Sequence, residues 1–239
     1  MRIFAATGIA LLLAGCAGSG VPLSDRERYD RVMGAPVANP SAIVQAELAF
    51  ARLAQEKGQW TAFRETAADD AIMFTPELVN AQQWLKNKPD PAQAVTWQPH
   101  HIYMSCDGSM AVSTGAWQNA KGETGHFTTI WQQQDFGQRR QDRKVDWKWV
   151  FDDGQPLDTP LAEPDYVETE VASCTPGSAA GLAAATPANK GRAGASADRT
   201  LLWSAAVASD GSRTVYVDLA REDGSFRRIH QYTVPAPAE

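Results

Sequence analysis

Val145-Asp146-Trp147-Lys148-Trp149-Val150-Phe151 decides the fold class. Aromatic rings at every second position, separated by Lys148 and Val150, fit the two-residue period of a strand and not the period of a helix. Upstream, Phe127, Thr129 and Trp131 alternate in the same way within 124–134, so period two places Trp147, Trp149 and Phe151 on one sheet face beside them. Further back, 95–106 and 110–119 flank Asp107-Gly108, a hairpin turn pair, and Gly122 marks the turn into 124–134. With 135–144 as a polar loop, four antiparallel strands follow one another.

The segment before these strands is helical. Asn39 suits a cap and Pro40 the first helical position; Ile43, Val44, Leu48, Ala51 and Ala54, with Phe50, recur at three and four spacing until Lys57-Gly58 stops them. Trp60, Phe63 and Ala67 mark a second short helix, and Asp69-Asp70 turn the chain into 71–74. Asn80 caps a third helix that buries Trp84 and Leu85 and ends at Lys88-Pro89-Asp90-Pro91. Helices followed by a meander make an α+β layer, helices on one side of a curved sheet.

Glu47-Leu48-Ala49-Phe50, Gly58-Gln59-Trp60, Ala67-Ala68-Asp69-Asp70-Ala71, Asp107-Gly108, Thr114-Gly115, Trp131 and Trp147-Lys148-Trp149-Val150 come in an order that resembles the nuclear-transport-factor-2-like superfamily, in its SnoaL-like bacterial branch. The resemblance spans residues 39–155. It implies a cone-shaped bent antiparallel sheet wrapped on N-terminal helices, a pocket at the wide end, and a homodimer through the sheet. That family includes isomerases, dehydratases, cyclases, binding modules and assembly partners, so the fold leaves the activity open.

Residues 156–198 carry no regular pattern and read as a linker, Ala-, Gly-, Pro- and Ser-rich from 175 onward. At 199–235 three β-like segments separated by Asp210-Gly211 and Asp223-Gly224 form a β-meander extension. Isolated hairpins are marginal in water, so it is expected to dock on the main domain or extend its sheet.

At the other end, Ile3 to Leu13 is a charge-free run too short to span a bilayer. It ends in Leu13-Ala14-Gly15-Cys16, which resembles the lipobox of a bacterial lipoprotein signal peptide (residues 1–15). That resemblance implies acylation of Cys16 and a tether at 16–38. It also implies a membrane partner through the acyl anchor, on the periplasmic side of the envelope, with Ala17 favouring the outer membrane. Cys106 and Cys174 then remain, and in an oxidising compartment they are expected to pair; the competing reading is two free thiols.

The candidate site residues are His101, His126 and Asp69 for acid–base work, and Trp117, Trp131 and Trp149 for a small apolar ligand. The first three also suit structural roles, and Asp69-Asp70 suit a turn. His100 and His101 are adjacent and cannot both ligate one metal, so no metal site and no cofactor are expected. The chain of 239 residues carries a formal charge of −6, which argues against nucleic acid as a partner. The reading is a small-molecule-binding or assembly module without catalysis. The alternatives are an isomerase, dehydratase or cyclase using a His–Asp pair in the cone, and a structural partner in an envelope complex.

Overall fold

In the computed structural model, residues 38–134, 146–175 and 190–236 are described. The signal segment, Cys16, nearly all of the tether, and residues 135–145 and 176–189 lie outside them. Helix α1 (Pro40–Lys57) starts with Pro40 at its first turn, while Asn39 occupies the cap position without a side-chain bond. Its buried stripe is Ile43, Glu47, Phe50 and Ala54. Leu48 is 47% exposed, so the buried face is rotated from the expected one and centres on a carboxyl. Gly58, at φ 107°, ends the helix with its N–H bonded to the Ala54 carbonyl; this left-handed φ favours glycine. Helix α2 (Gln59–Thr66) follows directly, and the short α3 (Ala81–Leu85) is capped by Asn80, whose side chain accepts from Gln83 N.

The large bent sheet has seven strands: β1 (Ala67–Phe74), β2 (Leu78–Asn80), β3 (Thr96–Met104), β4 (Met110–Gln118), β5 (Thr124–Gln133), β6 (Trp147–Leu157) and β7 (Glu168–Val171). Their order is β2-β1-β6-β5-β4-β3-β7. The sheet is mixed, because β1 runs parallel to β6 and β7 parallel to β3. Asp69-Asp70 lie within β1, where its register shifts, and do not form a turn. Strand β7 falls in the span read as linker, as does β8 (Lys190–Ala195).

Strand β8 joins β9 (Leu201–Val207), β10 (Arg213–Ala220) and β11 (Phe226–Val234) in a second sheet ordered β11-β10-β9-β8, so the C-terminal meander has a fourth strand and does not extend the main sheet. It packs on the sheet face opposite the helices. Phe151 meets Trp203 with ring centroids 5.6 Å apart, Tyr232 Oη donates to Asp153, and Thr128 meets His230. A homodimer through that outer face would have to displace the chain's own second sheet.

At one corner the two sheets are tied by matching turns, Ser105-Cys106-Asp107-Gly108-Ser109 and Ser196-Ala197-Asp198-Arg199-Thr200. Asp107 N donates to Asp198 Oδ2 at 2.8 Å and Asp198 N donates to Asp107 Oδ2 at 2.9 Å. Cys106 N donates to Thr200 Oγ1 and Ala197 N to Ser109 Oγ. Beside this clasp Cys106 and Cys174 form a disulfide that closes 68 residues. Replacing both cysteines by serine should cost about 4 kcal/mol through restored loop entropy in the unfolded chain. Urea denaturation measures the loss, and an unchanged midpoint would show that the bond constrains nothing.

Candidate functional site

A cavity of about 270 Å³ lies between α1, α2 and the inner face of the large sheet. Its walls are aromatic: Phe50 from α1, Trp60 and Phe63 from α2, Trp97, Trp117 and Phe127 from β3 to β5. Gly125 lets the Trp117 ring lie flat across the sheet, since a Cβ there would stand 2.3 Å from that ring. Trp117 Nε1 then donates to the His126 carbonyl at 3.0 Å.

Asp152 is the carboxyl at the cavity floor, and a bulge puts it there. Trp131 pairs with Trp149 but Ile130 pairs with Phe151, so Val150 is an extra residue on β6. Regular alternation would keep Phe151 on the inner face with Trp149. The bulge turns Phe151 outward against Trp203 and brings Asp152, opposite Thr129, to the inside. Thr129 Oγ1 donates to Asp152 Oδ2 at 2.7 Å. Enclosure by the protein pushes the Asp152 carboxyl up to about 8; the Thr129 bond opposes this, and the Glu47 and Asp153 carboxylates add to it.

Behind the cavity wall, Glu47 is fully buried and accepts three bonds: Trp97 Nε1 at 2.7 Å, Ser113 Oγ at 2.5 Å and Trp131 Nε1 at 3.0 Å. Burial raises its pKa against the lowering effect of those three donors. Among the polar groups facing the cavity, the Gln59 side-chain Oε1 already accepts from Val95 N at 3.1 Å.

The residues singled out from sequence scatter. Trp117 lines the cavity. Trp131 is spent on Glu47, and Trp149 is buried with its Nε1 bonded to Thr66 Oγ1, so both are packing and scaffold residues. His101 sits on the outer face, 3.1 Å from Glu168 and 40% exposed in its side chain. His126 is also on the outer face, its ring 4.9 Å from Tyr232 and 5.7 Å from His230. Asp69 is exposed on β1, its carbonyl accepting from Asn80. The structure does not bring these three together, and none of them lines the cavity. His100 is the extra residue of a second bulge, in β3, where burial pushes its imidazole pKa down.

No family model and no curated protein matches the chain. Among solved structures, a "putative aromatic ring hydroxylase" from Novosphingobium aromaticivorans aligns over 51% of this chain and 91% of its own length, at 10% identity and a TM-score of 0.35. So slight a likeness carries neither fold nor activity across. Sequence reasoning missed Glu47, Thr129 as a hydroxyl partner, and Asp152. A signal for Glu47 was present, an acid in register with Ile43, Phe50 and Ala54 on one helix face. Asp152 had none, because period two assigned it to the outer face.

Proposed function

We propose that the chain is a nuclear-transport-factor-2-like protein, held at the membrane by acylation of Cys16, that binds a small apolar molecule in the cavity with Asp152 as its polar anchor. The observation that carries this reading is an enclosed carboxyl, Asp152, at the floor of an aromatic chamber of about 270 Å³; burial, which pushes it up to about 8, favours its neutral form at pH 7. With Thr129 Oγ1 donating to Asp152 Oδ2, Oδ1 is the oxygen that can carry the acid proton toward a guest. A protonated acid among aromatic walls offers one hydrogen bond to an otherwise apolar guest. Acid–base catalysis is the second reading, favoured by the same group, since a carboxyl titrating near 8 can give or take a proton at neutral pH.

Gly154 supplies the test. It lines the cavity, and an added Cβ would meet only Trp117, at 3.4 Å, so Gly154→Leu fills space without striking backbone. Calorimetric titration with 2-naphthol should show binding to the wild type and at least a tenfold loss in Gly154→Leu, with near-ultraviolet circular dichroism unchanged. Equal affinity in the two proteins, or none in the wild type, would overturn the reading.

A further inference from the structure

Away from the cavity, the interface between the two sheets holds two histidines that the proposed function does not use. His126 of β5 and His230 of β11 face each other with ring centroids 5.7 Å apart, and the Tyr232 ring stands edge-on to both. His230 Nε2 lies 2.9 Å from Thr128 Oγ1. We propose that this pair is an acid-sensitive latch: protonation of His126 and His230 loosens the second sheet from the outer face, while the disulfide and the turn clasp keep it hinged at the other end.

Among the described residues, the carboxylates of the strands packed around the pair are already paired, so an imidazolium there would compete for a counter-charge in use. On β6, the Asp153 carboxylate is already engaged by the Tyr232 hydroxyl at 2.9 Å, the Gln155 amide at 3.3 Å and Arg213 Nε of β10 at 3.5 Å. On β7, Glu168 is taken by His101 of β3, which stacks on Tyr103. A second proton would set two cations side by side, with ring centroids 5.7 Å apart. Consistent with this, burial pushes both imidazoles down, His230 to about 4 with His126 and His101 adding to the effect.

The sign follows from linkage. A histidine held neutral when docked, but titrating near the ordinary 6.5 when released, binds more protons in the released state between those two values. Docking therefore weakens as pH falls from about 6.5 to about 4, by up to about 300-fold for His230 alone. The hinge lies at the Ser105 to Ser109 turn, next to Met110, whereas His126 pairs with Ala116 further along β4.

Hydrogen exchange of the full, disulfide-intact chain at pH 7.5 and pH 5, corrected for intrinsic rates, tests the latch. Peptides from β9 and β11 are expected to lose at least tenfold protection at pH 5 while α1 keeps its own. The double variant His126→Gln/His230→Gln should remove that difference, and His101→Gln should retain it. Uniform loss across α1 and β11, no loss in the wild type, or an undiminished loss in the double variant would overturn the proposal. If the double variant fails to fold, the wild-type imidazole resonances decide: titration of His230 near 6.5 overturns the latch, and titration well below it supports the latch.

Discussion

Asp152→Asn is expected to stabilise the folded protein at pH 7 by about 2–4 kcal/mol. The folded state holds a proton on Asp152 up to about pH 8, whereas the unfolded chain releases it near the ordinary 3.8. Between those values the folded state binds more protons, so stability falls as pH rises from about 4 to about 8. Asparagine does not titrate, and its carbonyl can still accept from Thr129, so the variant removes the penalty and keeps the geometry. Urea midpoints at pH 5, 7 and 9 check this. The gain over wild type should grow from pH 5 to pH 9, and a gain that ignores pH would refute the protonated carboxyl. Natural proteins tolerate such a penalty where a site requires it, which is the reason to regard Asp152 as functional and not as filler.

Glu47→Ala should destabilise by about 3–5 kcal/mol. It strips the acceptor from the Trp97 indole N–H and takes the carboxylate from Trp131 Nε1 and Ser113 Oγ, which are left with their own 3.1 Å bond and a long 3.5 Å contact from Ser113 to the Thr129 carbonyl. An unsatisfied buried donor costs about 1–3 kcal/mol, and the lost methylene and carboxyl group leave a hole beside Trp97, which packs on Phe50. Glu47→Gln keeps the shape and one acceptor, so its loss should be smaller. Chemical denaturation followed by tryptophan emission measures both. A loss below 1 kcal/mol for alanine would mean that water replaces the carboxylate, and that Trp97 and Trp131 are not held by it.

Strands β3 to β6 were legible because alternation and glycine turns are local signals; the observed bounds of β3 to β5 follow the expected segments closely, whereas β6 runs on to Leu157, six residues past the expected end at Phe151 and into the span read as linker. The features that escaped depend on a partner strand. The Val150 bulge exists because β5 and β6 change register between Ile130 and Trp131, and nothing in Trp147 to Phe151 alone announces it. That one residue decided which of two neighbouring aspartates puts its carboxyl on the inner face with Thr129 and which turns toward Tyr232, so the site was illegible where the strand was most legible. Strands β7 and β8 are four and six residues long, and their polar or Gly- and Ala-rich sequences are ordered by pairing with β3 and β9. The parallel pairing of β1 with β6 is likewise a tertiary fact. Two outward histidines, His101 and His126, drew attention that the buried acids deserved, because histidine chemistry is visible in a sequence and enclosure is not.

The clasp between the two matching turns has a consequence for the order of folding. Asp107 and Asp198 are 91 residues apart in the chain, and each turn presents its backbone N–H to the other only after its own hairpin has formed. Contacts so distant in sequence are slow to form, because the connecting chain must be closed before they contribute. The hairpins of both sheets should therefore be structured in the folding transition state, and the clasp should not. Changes at Asp198 are then expected to speed unfolding while leaving the folding rate nearly untouched.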